Sequence, residues 1–220
     1  MKRIALPDIS YKPTIVILAN GEFPDNEIAL SLLRGTEEIV CCDGAVRNLL
    51  ETGLEPSVII GDFDSIDAAT AERYKDIMVH VDEQDTNDLC KAVEYCLAKG
   101  YKRLVVLGAS GLREDHALAN IGVMMKYAAR CEIQMVTNFG VFDVVCGKAE
   151  FESWEGQQVS MFAFNPATKI LVENLMYTPP EGSLCGLWQG VSYQSLGGSF
   201  VVDTSDMVVI FRVFEKKRAV

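Results

Sequence analysis

Histidine is scarce, long apolar runs are missing and positive charge is outnumbered, and each shortage removes a class of function. The longest apolar stretches, such as Ile15 to Ala19 and Val208 to Phe211, are strand-sized. A membrane helix needs roughly 20 apolar residues, so no membrane association is expected. Lys2 and Arg3 could open a signal peptide, but Pro7, Asp8 and Ser10 stand where its apolar core would lie. The seven cysteines include no C-x-x-C pair and are odd in number, which argues against a disulfide framework and against a zinc site. A reducing cytoplasm is the expected compartment. Lys and Arg total 20 against 31 Asp and Glu, a net charge of −11. Nucleic acid is therefore not an expected partner, because displacing its counterions takes clustered cations. A nucleoside triphosphate remains compatible, since a divalent cation can join it to carboxylates.

What is present is the composition of a packed globular chain: 220 residues, 49% hydrophobic and 23% charged. Short β-branched runs alternate with helical patterns in the first part, the mark of a parallel sheet covered by helices. Expected strands are Thr14 to Ala19, Glu38 to Cys42, Ser57 to Ile60, Met78 to Val81, Arg103 to Leu107 and Glu132 to Thr137. The spacing of Leu89, Ala92, Val93, Cys96 and Leu97 predicts a helix over 87–99, stopped by Gly100. A second helix follows Asp115. From Asn138 the helical spacing gives way to short strands broken by Gly, Pro and Asn. Strands are expected at Gln158 to Phe164, Lys169 to Leu175, Phe200 to Asp203 and Met207 to Val213. The expected architecture is an α/β parallel-sheet domain over 1–140, followed by a smaller all-β sandwich over 141–220. The charged tail from Glu215 to Arg218 reads as a solvated end.

Ligands of open parallel sheets gather at the carboxyl ends of the strands, and the acidic residues follow that rule. Asp43 and Gly44 come after the second expected strand, Asp62 and Asp64 after the third, Asp85 and Asp88 after the fourth, and Arg113 and Asp115 after the fifth. Asp62-x-Asp64 is the strongest local feature. Two carboxylates leaving one strand suit Mg²⁺, which takes one or two protein oxygens, several waters and phosphate. The plainer reading is a turn that caps the next helix. Asp85 and Asp88 open the long helix, where one can cap and the other reach a cation, with Lys91 a turn inside to meet a phosphate. The Gly108 to His116 loop has small residues able to approach phosphates closely, but lacks the Gly-Lys-Ser/Thr of a Walker A motif. Arg113 could grip phosphate in bidentate fashion. His116 reads as a residue that orients Asp115 or caps the helix, and His80 is assigned no role.

Taken in order, Asp43-Gly44-Ala45, Gly61-Asp62-Phe63-Asp64-Ser65-Ile66, Asp85-x-x-Asp88-x-x-Lys91-Ala92 and Gly111-Leu112-Arg113-Glu114-Asp115-His116 resemble the thiamine pyrophosphokinase family over most of the chain. The resemblance implies an α/β domain that binds ATP and Mg²⁺, with a β-sandwich completing the thiamine pocket across a homodimer interface. It places metal and phosphate binding on Asp62, Asp64, Asp88 and Asp115, the metal on the first three of these. Asp85 is a further candidate, Lys91 and Arg113 are phosphate contacts, and Asp43, Gly44 and His116 lie in the same binding motifs. Ser192 resembles the family's Ser-Asn turn without its asparagine. Asn87 stands where the family has Thr, Ala109 and Ser110 thin the glycine-rich loop, and Glu173 replaces an aromatic. Tyr177, Trp188 or Tyr193 could supply that aromatic instead. The implied reaction transfers the terminal diphosphate of ATP to thiamine. The alternatives are the same transfer to another alcohol such as a hydroxymethylpterin, a nucleotide-binding domain without turnover, and a phosphatase with Asp62 as nucleophile.

Overall fold

The computed structural model describes residues 1–83 and 85–215, so most of the charged tail lies outside the described residues. The chain divides into two compact units. One is Asp8–Asn138; the other joins Met1–Pro7 to the chain from Phe139 onward. The first strand, β1 (Lys2–Ile4), therefore belongs with residues more than a hundred positions away.

In the Asp8–Asn138 unit, β2 (Ile15–Leu18), α1 (Glu27–Gly35), β3 (Glu38–Cys42), α2 (Ala45–Glu51), β4 (Val58–Gly61), α3 (Ala68–Tyr74), β5 (Met78–His80), α4 (Asp88–Ala98), β6 (Arg103–Leu107), α5 (Glu114–Tyr127) and β7 (Glu132–Val136) alternate along the chain. The strands form a parallel sheet in the order β7-β6-β2-β3-β4-β5. Ile15, Val16, Ile17 and Leu18 are all fully buried, as expected of a central strand covered on both faces, so they read as one apolar run rather than an alternation. β5, at the sheet's end, is only half-buried.

Helix starts are specified locally. Asn26 caps α1, Asp67 caps α3 and Asn87 caps α4, each by accepting a backbone N–H. α4 buries Leu89, Ala92, Val93 and Cys96 of the expected stripe, with Cys90 and Lys91 beside them, while Leu97 is half-buried. The chain steps from β2 to β3, β4 and β5 in one direction and places β6 and β7 on the other side. Strand order thus reverses between β2 and β6, and the crevice of an open α/β sheet lies at such a point.

The other unit is built on two long strands, β8 (Gly140–Glu152) and β12 (Ser199–Val213), paired antiparallel along their whole length. Their register shifts between Thr204 and Val208. On one side of the shift β12 also pairs with β9 (Gln158–Ala163), which carries β11 (Tyr193–Gln194). On the other side β12 pairs with β10 (Ile170–Glu173), while β8 pairs with β1. Residues from both ends, Met161 and Ile210 with Phe151, Ile170 and Phe200 among them, share one core. The residue pattern divides β12 into two strands, because Thr204, Ser205 and Asp206 have the composition of a loop. They are instead the irregular stretch through which one strand passes from one set of partners to the other. β8 is not evident in the sequence, because Gly147-Lys148 interrupts its pattern.

A buried ion pair pins this unit. Arg212 on β12, with no exposed surface, lies 2.7 Å from Asp143 on β8. It also donates to the Glu152 carbonyl at 2.7 Å and the Ala5 carbonyl at 3.0 Å, and its guanidinium covers the Phe151 ring. The bond to Ala5 fastens the N-terminal segment here. Arg212→Met should cost about 3–5 kcal/mol in urea unfolding, because the Asp143 charge stays buried without its guanidinium. Adding Asp143→Asn should recover part of that loss; a cost below about 1 kcal/mol for the single variant would contradict the pinning role.

Candidate active site

The acidic site grows out of the β3–β4 ladder. The Asp43 N–H donates to the Ile60 carbonyl at 2.8 Å, which carries pairing one residue past β3 and lays the Asp43 side chain over the end of β4. Gly61 makes room for it: a Cβ there would stand 2.6 Å from the Asp43 Cβ. At Gly44 a Cβ would come within 2.2 Å of the Asn20 amide nitrogen, so the Asn20 side chain would have to move. Asp62 and Asp64 leave β4 through Phe63, whose φ of +67° lies in the left-handed region and is strained for a non-glycine residue. Phe63 stacks on His80 at 5.4 Å, and Asp62 Oδ1 accepts the Asp64 N–H at 3.4 Å. His80, to which the sequence assigned no role, thus helps hold the turn.

The result is that Asp43, Asp62 and Asp64 each offer a carboxylate oxygen, all within 4.8 Å of one another. Asp43 is buried and one of its oxygens, Oδ1, has no hydrogen-bond partner. Its pKa is pushed up to about 6, first by burial and then by the charge of Asp88, with Asp64 and Asp62 adding smaller pushes against a hydrogen bond from the Phe63 N–H. Three hard oxygens, mutual repulsion and one unsatisfied buried acceptor suit a small divalent cation such as Mg²⁺. The cluster differs from the expected Asp62, Asp64 and Asp88 set in including Asp43. Asp88 lies outside the group of close oxygens, yet near enough for its charge to act on Asp43.

The remaining expected residues fall into three places. At the start of α4, Asp88 is paired with Lys91 at 3.3 Å, and the Lys91 side chain is only 4% exposed; Asp85 is exposed. After β6, Arg113 clasps Asp115 through two bonds of 3.1 and 2.6 Å on the surface. That clasp holds the Asp115 carboxyl down at about 2. It engages Asp115 with Arg113 rather than with the three-carboxylate group. His116 touches Asp115 through its backbone N–H, which donates to Asp115 Oδ1 at 2.9 Å. Ser192 belongs to the other unit, where its N–H donates to Ser160 Oγ at 3.1 Å and its φ is +60°. There Tyr193 is buried, Trp188 and Tyr177 are exposed, and Glu173 pairs with Lys148 at 3.1 Å.

One segment escaped the sequence reading. The loop after β2 hydrogen-bonds the loop after β6, Gly21 N–H to the Gly108 carbonyl at 2.6 Å and Glu22 N–H to the Ser110 carbonyl at 2.8 Å. It lines the point of strand reversal. Asn20-Gly21 after an apolar strand was the available signal.

Known proteins bear on this geometry. Residues 29–136 match the family model described as thiamin pyrophosphokinase, catalytic domain, and residues 140–211 match thiamin pyrophosphokinase, substrate-binding domain. The chain belongs to the thiamin pyrophosphokinase family. Among named relatives, thiamin pyrophosphokinase 1 of Caenorhabditis elegans is 33% identical over 97 residues, 40% of each chain. Thiamine pyrophosphokinase of Bacillus subtilis is 33% identical over 120 residues, 51% of this chain and 55% of that one. These matches thus span only about half of the relatives' length. The structure of thiamin pyrophosphokinase from Candida albicans superposes with a TM-score of 0.81 at 16% identity, covering 97% of this chain and 93% of that one. The Bacillus subtilis structure gives 0.74 at 20%, covering 91% and 99%. At such identities the likeness establishes the thiamin pyrophosphokinase fold. Among the described residues no helix is long and apolar enough to cross a membrane.

Asp43 gives the acidic cluster a pH signature. A carboxyl whose folded pKa of about 6 exceeds its ordinary value of 3.8 costs stability when ionised. That cost is absent below pH 3.8, grows between 3.8 and 6, and is complete above 6. With divalent ions chelated, Asp43→Asn should therefore be more stable than wild type by about 1–3 kcal/mol at pH 7.5 and equal to it near pH 3.5. Urea unfolding at the two pH values measures this; a difference that does not change with pH would refute it.

Proposed function

We propose that this chain transfers the terminal diphosphate of ATP to the hydroxyl of thiamine, releasing AMP, with Mg²⁺ held by Asp43, Asp62 and Asp64. The observation that carries the reading is the convergence of those oxygens within 4.8 Å at the strand ends, in a chain matching both domain models of the family. A bound cation would supply charge neutralisation to the phosphate oxygens. The chain's own groups bind and orient. Lys91, nearly buried beside Asp88, offers a fixed cation to the polyphosphate, and Arg113 offers a planar pair of donors once its hold on Asp115 is shared with phosphate. Transfer of this kind depends mainly on alignment and charge stabilisation, so no covalent enzyme intermediate is required. The hydroxyl proton needs a carboxylate acceptor. Asp115 is engaged by Arg113, and we assign the role to Asp88.

The expected homodimer is part of this proposal, with Ser192 at the thiamine pocket. Exposed Tyr177, Leu187, Trp188 and Leu196 support a buried interface on that unit. All seven cysteines are free, Cys146 and Cys185 at the surface, which favours a reducing cytoplasm.

The deciding experiment mixes the protein with MgATP and thiamine and quantifies AMP and thiamine diphosphate. Both should form in equal amounts. Asp64→Ala should lower turnover by ~100-fold or more while circular dichroism stays unchanged. Turnover of the variant at wild-type rates would remove Asp64 from the mechanism. AMP formation with a hydroxymethylpterin but not with thiamine would reassign the acceptor.

A further inference from the structure

A directional relay of side-chain amides joins the first turn of α4 to the loop after β6. The Cys90 N–H can only donate, and it donates to Asn87 Oδ1 at 3.0 Å. The Asn87 amide must then present Nδ2 on its other side, where it donates to Asn120 Oδ1 at 2.9 Å. Asn120 Nδ2 in turn donates to the Ala109 carbonyl at 2.8 Å. Both ends of the relay are backbone groups of fixed polarity, so the orientation of each amide is determined. Asn120 is 7% exposed, on a helix whose other buried residues are Val123, Met124 and Tyr127. A buried amide costs more than an apolar side chain unless its partners are all in place. The loop it reaches is tied on its far side to Gly21 and Glu22.

We propose that Asn120 is a positioning residue for diphosphate transfer, holding Asp88 and Lys91 on α4 in register with the 108–111 loop and Arg113 beyond it. The assignment rests on the proposed function for the chemistry of those groups, but the coupling itself is a property of the fold. Asn120 meets no substrate; it fixes the relative placement of groups that do. Misplacement of about 1 Å between such groups is enough to cost ~100-fold in rate.

The test uses Asn120→Ala, Asn87→Asp and the double variant. Asp at 87 keeps the cap oxygen for Cys90 and ranks with Asn as a cap, but has no proton to give Asn120. Each single variant should speed amide hydrogen exchange in residues 88–91 and 108–111 together, by ~10-fold. Each should also lower kcat for AMP release by about 10–100-fold, with KM for thiamine within about twofold of wild type. The double variant should be no worse than the poorer single one, because both cut the same relay. Faster exchange only in the segment next to the substitution, multiplying losses in the double variant, or a wild-type kcat with merely a lower unfolding midpoint would each overturn the proposal. A wild-type chain that forms no AMP would refute the functional reading instead, and the exchange data would still decide the coupling.

Discussion

The burial of one carboxylate beside others, at the ends of β3 and β4, is the constraint around which the site is organised. Asp43 is buried, carries an oxygen with no partner, and stands within 4.8 Å of oxygens from Asp62 and Asp64. Burial first, then the charge of Asp88, drive the Asp43 carboxyl up to about 6, with Asp64 and Asp62 adding smaller pushes. The proposed divalent cation would answer the repulsion and the unsatisfied acceptor together.

The backbone around the cluster is arranged to permit that crowding. Gly61 leaves the space that the Asp43 side chain fills, and the Phe63 turn, in a left-handed conformation backed by His80, brings Asp64 round toward Asp62. Local strain of this kind persists where the surroundings over-determine it. On the neighbouring strands, loop-to-loop hydrogen bonds from Gly21 and Glu22, and the amide relay through Asn120, do similar service for the groups proposed to meet phosphate. Cations are distributed so that each already leans on a carboxylate: Lys91 on Asp88, Arg113 on Asp115. Both are local pairs, within a turn of chain.

Much of the scaffold could be read from residue pattern. The buried strands of the parallel sheet announce themselves as apolar runs, and α4 as a spaced stripe, because those periods are imposed by the elements themselves. The β-rich unit was less legible. β12 looked like two strands, since its polar Thr204-Ser205-Asp206 stretch has the composition of a loop and gains its place only from partners on both sides. β1 pairs with a strand some 145 residues on, a relation that local pattern does not carry.

At the site, sequence alone determined which carboxylates lie at strand ends and helix starts, because a strand's end and a cap are short-range features written in a few neighbouring residues. Tertiary structure decided which of them meet. It drew in Asp43 through a bond to Ile60 on the adjacent strand, left Asp88 just outside, and turned Asp115 to Arg113. The reason is that convergence depends on strand register and on where a neighbouring glycine leaves room, and both are set by contacts between segments far apart in the chain.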